Sequence, residues 1–320
     1  MSHMSQTSRI DESATGVYII AATPFTETGA LDLASTDSLV DFYLDKGVAG
    51  LTILGMMGEA HTLTDEESLQ FTRQVLRRVA GRVPVVVGVS HAAHQQVARM
   101  AGMAMDNGAA GVMVAPAPGL RTDGQVHGYY ADVARLLGRD VPICLQDFPQ
   151  STGVWTSVEV VHRLVDEFEQ VVMFKHEDLP GLKKLTRLRK ESEAAGRRRI
   201  SILVGNGGLF LPQEMARGAD GAMTGFAYPE MLVQVCALYA QGRAAEAEDL
   251  FDIYLPLLRH EFQYGIGLAL RKETLRRRGA IASAAVRRQG PGLDATDQLE
   301  LSGLIDRLER RLSGVRALAF

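Results

Sequence analysis

Lys175 is the residue in this chain best placed to do chemistry. It ends the run Val171-Val172-Met173-Phe174, after which the sequence turns charged with His176-Glu177-Asp178. The run is too short for a helix and is bounded by Gln170 and by Leu179-Pro180-Gly181, so it reads as a strand buried on both faces. Lys175 then stands at the carboxyl end of that strand, where active sites of α/β folds collect. The chain has six lysines, Lys46, Lys175, Lys183, Lys184, Lys190 and Lys272, and of these Lys175 alone ends an apolar strand. Burial disfavours an ammonium and so makes an amine able to attack a carbonyl near neutral pH. The competing reading is a lysine that leaves the strand and pairs with Glu177 or Asp178.

The elements that must position Lys175 follow from the hydrophobic pattern. From residue 16, short apolar runs alternate with amphipathic segments. Strands are expected at 16–22, 48–54, 84–89, 111–116, 142–146, 171–175, 200–205 and 221–224. Helices are expected between them at 33–46, 64–79, 95–107, 123–137, 157–168, 182–195 and 212–217. Thr64-Asp65-Glu66-Glu67 supplies a capping box and Gly81 a stop. Counting the last strand with the helix that follows it, eight such alternations imply a parallel sheet closed as a (β/α)8 TIM barrel over residues 15–230. After Pro229 the strand signal ends. Helical segments at 231–241, 244–261, 266–278 and 297–312 make a C-terminal helical appendage, 231–320. Residues 1–14 are expected to be a loose terminus, Met1-Ser2-His3-Met4 reading as an expression scar.

Composition narrows the classes of function. The 320 residues are 46% hydrophobic and 22% charged with a formal charge of -4, which gives no sign of a nucleic-acid or membrane partner. No apolar stretch approaches the ~20 residues of a membrane span, and a cytoplasmic location is expected. Cys144 and Cys236 lie far apart in apolar surroundings and read as reduced core residues; no Cys/His cluster with metal-ligand spacing is present. The clusters Arg276-Arg277-Arg278 and Arg287-Arg288 read as solvated helix ends rather than an anion site.

With a barrel granted, the residues at the strand carboxyl ends are the site candidates. They are Thr23, Gly55-Met56-Met57-Gly58-Glu59, Ser90, His91, Pro116-Ala117-Pro118, Gln146, Asp147, Lys175, Gly205, Asn206 and Met223-Thr224-Gly225. Lys175 is the strong nucleophile among them. An amine facing a carbonyl in a closed pocket implies a Schiff base, whose protonated imine is an electron sink for bond making or breaking at the neighbouring carbon.

In this context the chain resembles the dihydrodipicolinate synthase / N-acetylneuraminate lyase family of class I aldolases over nearly all of residues 16–312. Thr23-Pro24-Phe25 matches the family's first-strand signature, and Gly55-Met56-Met57-Gly58-Glu59 stands where it has Gly-Thr-Thr-Gly-Glu. Gln146-Asp147-Phe148-Pro149-Gln150-Ser151-Thr152-Gly153 stands for Tyr-Asn-x-Pro-x-x-Thr-Gly, and Phe174-Lys175-His176-Glu177 for the family's Lys-Glu/Asp segment, which carries the Schiff-base lysine. The eighth strand corresponds to residues 218–225 and the C-terminal Leu-Lys helix to residues 270–279. Six motifs in order are far more specific than any one. The resemblance implies pyruvate or another 2-keto acid as substrate, no metal or organic cofactor beyond the covalent Schiff base at Lys175, and a homotetramer.

The departures from the family fall on its proton-moving residues. Its fifth-strand tyrosine is Gln146, the second threonine of its loop is Met57, and its tyrosine pair after the fourth strand is Ala117-Pro118. The arginine that binds the second substrate of dihydrodipicolinate synthases is Ser151, so a true dihydrodipicolinate synthase is not expected. A lyase or aldolase of a 2-keto acid, with or without dehydration, is the expected activity. The alternative is a non-catalytic ligand-binding or assembly barrel that has lost the relay. Replacement proton carriers are sought in His61, Asp147, Glu59 and His91, each with a structural alternative. Met56 and Met57 are expected to pad the substrate pocket, with Gln146 and Met223 lining it and Gly205 letting a ligand approach the backbone beside Asn206.

Overall fold

A computed structural model describes residues 9–287 and 290–318 of the chain. Met1-Ser2-His3-Met4 and Arg288 lie outside the described residues. The elements run β1 (Gly16–Ile20), α1 (Leu33–Asp45), β2 (Gly50–Ile53), α2 (Asp65–Val79), β3 (Val85–Gly88), α3 (His94–Asp106), β4 (Gly111–Val114), α4 (Asp123–Leu137), β5 (Ile143–Asp147) and α5 (Pro149–Thr152). They continue as α6 (Val158–Glu167), β6 (Val171–His176), α7 (Leu182–Ala194), β7 (Ser201–Val204), α8 (Leu211–Ala216), β8 (Gly221–Ala222), α9 (Pro229–Ala240), α10 (Ala244–Glu261), α11 (Gly267–Arg277) and α12 (Ala295–Leu318). The strands close in sequence order, β1 through β8 and back to β1, all parallel. This is the TIM barrel that the alternation implies, with the C-terminal helices added to it.

Strand alternation divides the apolar residues into two cores. Val17, Ile19, Leu51, Ile53, Val112, Leu145, Phe174 and Val204 face the helices. Tyr18, Ile20, Val86, Met113, Cys144, Met173, Leu203 and Met223 fill the barrel interior. Between β5 and β6 the register shifts at Ile143/Cys144, after which Cys144 pairs with Met173 and Gln146 with Lys175. That bulge brings the side chains of Gln146 and Lys175 level on the inner face.

Three expectations are corrected. Residues 9–14 are not loose: Ile10 is buried in the interior cluster, its N–H bonds Ala110 O at 3.0 Å, and Ser201 Oγ donates to Ala14 O at 2.7 Å. A Cβ on Gly111 would lie 2.7 Å from Ile10, so the glycine leaves room for this plug. The helix at 229–240 packs on β1 and β8 and is the barrel's eighth helix rather than the first of the appendage. The basic clusters are solvated ends only in part: Arg276 and Arg277 are exposed in the last turn of α11 beside Glu273, whereas Arg278 and Arg287 are half-buried against Glu230 and Glu67. Arg287 pulls the Glu67 carboxyl down to about 2, while the same carboxylate closes the capping box on Thr64.

Both cysteines are free and buried. Among the described residues, no helix is long and apolar enough to cross a membrane. Because Ile10 fills the barrel's amino end, Ile10→Ala should destabilise the fold by about 2–4 kcal/mol through the cavity it opens. Chemical denaturation checks this; an unchanged midpoint would mean that the segment is the loose tail its composition suggests.

Candidate active site

Lys175 faces the barrel interior, because Met173 two residues earlier belongs to the interior cluster. Its Nζ lies 3.0 Å from Glu177 Oε2, and the two side chains are only 5% and 8% exposed. Gln146 Nε2 donates to the same Oε2 at 2.8 Å. The amine is held as one half of a buried ion pair. The pairing that competed with the nucleophile reading is therefore present, and it faces the interior of the barrel rather than solvent.

Gly205 has a different role from the one expected. A Cβ there would lie 2.2 Å from Glu177 Cγ, so the glycine makes room for Glu177 rather than for a ligand. Asn206, at φ 51°, donates from Nδ2 to Glu177 O at 3.0 Å. A left-handed asparagine is a tolerated conformation, and here it locks the strand-end backbone that carries Glu177. Glu177 is thus the carboxylate that the structure brings to Lys175, in a place where the sequence pointed instead to His61, Asp147, Glu59 and His91. The signal was available, since residues 175 and 177 on a continuing strand share one face.

The loop after β2 is built as a separate clamp. Thr23 Oγ1 donates to Gly58 O at 2.6 Å. Glu59, with φ 54°, is fully buried and accepts from Lys272 Nζ at 2.6 Å and from Arg287 N–H at 2.8 Å. Lys272 also donates to Ala285 O at 2.8 Å, and the Lys272 and Arg287 cations lie 4.4 and 4.3 Å from the Phe25 ring. Burial lowers the Lys272 pKa against the opposing pull of Glu59. Glu59 is thus a tie between the barrel and the C-terminal helices and not a proton carrier. Above this clamp Met57 packs against the interior cluster, while Met56 is 37% exposed with its sulfur 3.9 Å from Ser151 Oγ. Met223 is buried deeper, 3.9 Å from Cys144 Sγ, and forms the floor.

The remaining proton-carrier candidates are not brought to Lys175. Asp147 follows Gln146 and so points to the opposite face of the sheet. There Lys184 Nζ donates to its Oδ2 at 2.5 Å and His176 Nδ1 stands 3.6 Å away, with His176 Nε2 3.0 Å from Gly181 O. His61 is exposed in a 3-10 turn, Ala60–Thr62. His91 is exposed and its Nδ1 accepts from Ala93 N–H at 2.9 Å, a loop cap.

A closed eight-stranded barrel with a buried lysine at the end of its sixth strand is the frame expected of the family that the sequence resembles. The chain matches the dihydrodipicolinate synthetase family over residues 13–307, and the chain belongs to that family. Among its relatives is L-2-keto-3-deoxyarabonate dehydratase of Azospirillum brasilense, 35% identical over 298 residues that cover 92% of this chain and 94% of the relative. The 4-hydroxy-tetrahydrodipicolinate synthase of Aquifex aeolicus is 30% identical over 65% of this chain and 68% of its own. A crystal structure described as dihydrodipicolinate synthase from Rhodopseudomonas palustris superposes with a TM-score of 0.91 at 44% identity, covering 94% of this chain and 99% of that one.

One further acid lies within the field of the site. Glu214 on α8 is buried, its Oε2 has no hydrogen-bond partner, and burial, reinforced by the Glu177 charge, pushes its carboxyl up to about 8. The folded chain therefore holds this proton between 4.5, the ordinary value, and about 8, where the unfolded chain does not. Stability should fall as pH rises across that window, by an amount on the order of a few kcal/mol. Glu214→Gln should remove this slope, so denaturation midpoints of wild type and variant should diverge between pH 5 and 8.5; parallel pH curves would contradict it.

Proposed function

We propose that the protein is a Schiff-base dehydratase, a carbon–oxygen lyase of a 2-keto-3-deoxy sugar acid, with Lys175 as nucleophile and Glu177 as the proton carrier. The observation that carries this reading is the Glu177 carboxylate 3.0 Å from Lys175 Nζ, in a mouth where Gln146 and Met57 replace the family's relay hydroxyls. The similarity to L-2-keto-3-deoxyarabonate dehydratase supports the same chemistry. It also supports a reaction other than dihydrodipicolinate synthesis, as does Ser151 in the place of the family's substrate-binding arginine.

The pair supplies each proton in turn. Transfer from Lys175 to Glu177 frees the amine, which attacks C2 of the keto acid and forms the C–N bond. The carbonyl oxygen takes one proton from the attacking nitrogen and the one returned by Glu177, leaves as water, and the iminium remains. Glu177, again a carboxylate, takes a proton from C3, and the C–H electrons flow into the enamine. The enamine electrons then expel the C4 hydroxyl, which takes the proton held by Glu177 and departs as water. Hydrolysis of the conjugated iminium restores Lys175 and releases an unsaturated keto acid.

Gln146 cannot titrate, but its amide holds Glu177 Oε2 at 2.8 Å in this geometry. The backbone N–H groups at the start of the 3-10 turn Met56–Gly58 have no intrahelical acceptor, as at any helix start, and are the donors proposed for the substrate carboxylate.

Borohydride reduction in the presence of pyruvate, read by peptide mass spectrometry, should place a stable adduct on Lys175 that is absent from Lys175→Ala. Failure of every 2-keto acid to be trapped by folded protein would overturn the reading in favour of a binding barrel. Glu177→Gln should keep the fold but lower kcat for dehydration about 100- to 10,000-fold, the usual worth of a positioned acid–base group; near-normal turnover would remove Glu177 from the mechanism.

A further inference from the structure

Arg271 on α11 is 4% exposed. Its Nε donates to Glu261 Oε1, and Glu261 Oε2 in turn accepts from Ala227 N–H at 3.2 Å. Its Nη1 is buried and has no acceptor. A buried guanidinium N–H left without a partner costs free energy, and such a group in a native fold calls for an explanation.

The position of Nη1 supplies one. An ideal Cβ on Gly225 would lie 2.2 Å from Arg271 Nη1 and 2.9 Å from Cζ. The β8 ladder continues beyond Ala222, with Met223 N–H bonding Val204 O at 2.8 Å and Ile20 N–H bonding Thr224 O at 2.9 Å. Met223 faces the barrel interior, so position 225 faces the same side two residues nearer the catalytic end. The guanidinium thus fills the place that a side chain at 225 would take in the wall of the mouth. Glycine is required there because a residue 46 positions later crosses it.

We infer that Arg271 Nη1 is a substrate-recognition donor, which hydrogen-bonds a hydroxyl oxygen on the tail of the keto acid beyond C3. The charge of Arg271 is countered by Glu261, so the free N–H is a strong donor without a net positive charge, which suits a hydroxyl better than a second carboxylate. Arg271 would therefore select hydroxylated keto acids over pyruvate, which has no tail. This inference rests on the Schiff-base reading of Lys175.

The experiment compares the concentrations of pyruvate and of a 2-keto-3-deoxypentonate that give half-maximal borohydride trapping on Lys175. Because Arg271→Met leaves Glu261 buried without its cation, the double variant R271M/E261Q is measured with it. Gly225→Ala, which keeps both charged residues and displaces the guanidinium, gives an independent route. The pentonate half-saturation should rise about 10- to 100-fold in all three, while that for pyruvate stays within about twofold, as loss of one charge-assisted hydrogen bond predicts. Unchanged pentonate values in folded R271M/E261Q and G225A, or equal losses for both ligands, would overturn the inference and leave Arg271 as scaffold. Wild-type protein that traps neither ligand would instead bring down the Schiff-base reading, and this inference with it.

Discussion

The buried ion pair between Lys175 and Glu177 is the constraint around which the barrel mouth is arranged. Two opposite charges taken out of water lose solvation worth several kcal/mol each, and their attraction offsets this only where geometry is good and the remaining polar atoms are satisfied. The surrounding residues meet those conditions. Gln146 shares the carboxylate oxygen that faces Lys175, Asn206 fixes the Glu177 carbonyl, and Gly205 leaves the volume the glutamate side chain occupies. Removing any one partner would leave a charge or a polar atom stranded, which is why the group behaves as a unit.

The pair depends in turn on strand register. The shift at Ile143/Cys144 makes Gln146 the neighbour of Lys175 on the inside and Asp147 the neighbour of His176 on the outside. Lys184 from α7 then anchors Asp147 behind the sheet and also reaches Asp178 at 3.3 Å. Both faces of the β5 and β6 ends are therefore tied by charge, the inner face through Lys175 and Glu177 and the outer face to the helix layer. The C-terminal helices play the same part for the opposite wall. Lys272 and Arg287 hold Glu59, and with it the turn that carries Met56 and Met57.

The alternation of eight apolar strands with amphipathic helices was legible because it is local, as was the single lysine that ends an apolar strand. What was not legible depends on partners far away in the sequence. Glu59 titrates in principle, and nothing near it shows that Lys272, 213 residues later, closes upon it. Asp147 and Gln146 are adjacent in sequence, and only the bulge decides which one enters the barrel. Gly205 suggested close approach by something, correctly in kind, but the approaching group is a side chain at the end of the neighbouring strand rather than a ligand. Ile10 is a lone apolar residue in a polar terminus, too little pattern to announce that it plugs the barrel base.

In the proposed reaction a carboxylate takes the part that hydroxyls play in the family's relay, which is a change in kind and not only in identity. A tyrosine or threonine relay passes a proton along a chain of groups that each donate and accept. A single carboxylate beside the amine can hold only one proton at a time, so it must deliver that proton before it can take the next. Dehydration of a 3-deoxy keto acid fits this limit. In the proposed reaction each proton that Glu177 accepts, from Lys175 and then from C3, would leave again in the water formed at the following step, and the carboxylate would be reset without a second titrating group. Gln146 then makes chemical sense as the residue opposite Lys175: it orients the carboxylate by a hydrogen bond and offers no competing site for the proton. The absence of a titrating group at residue 146 and the presence of one at 177 are therefore two parts of the same arrangement.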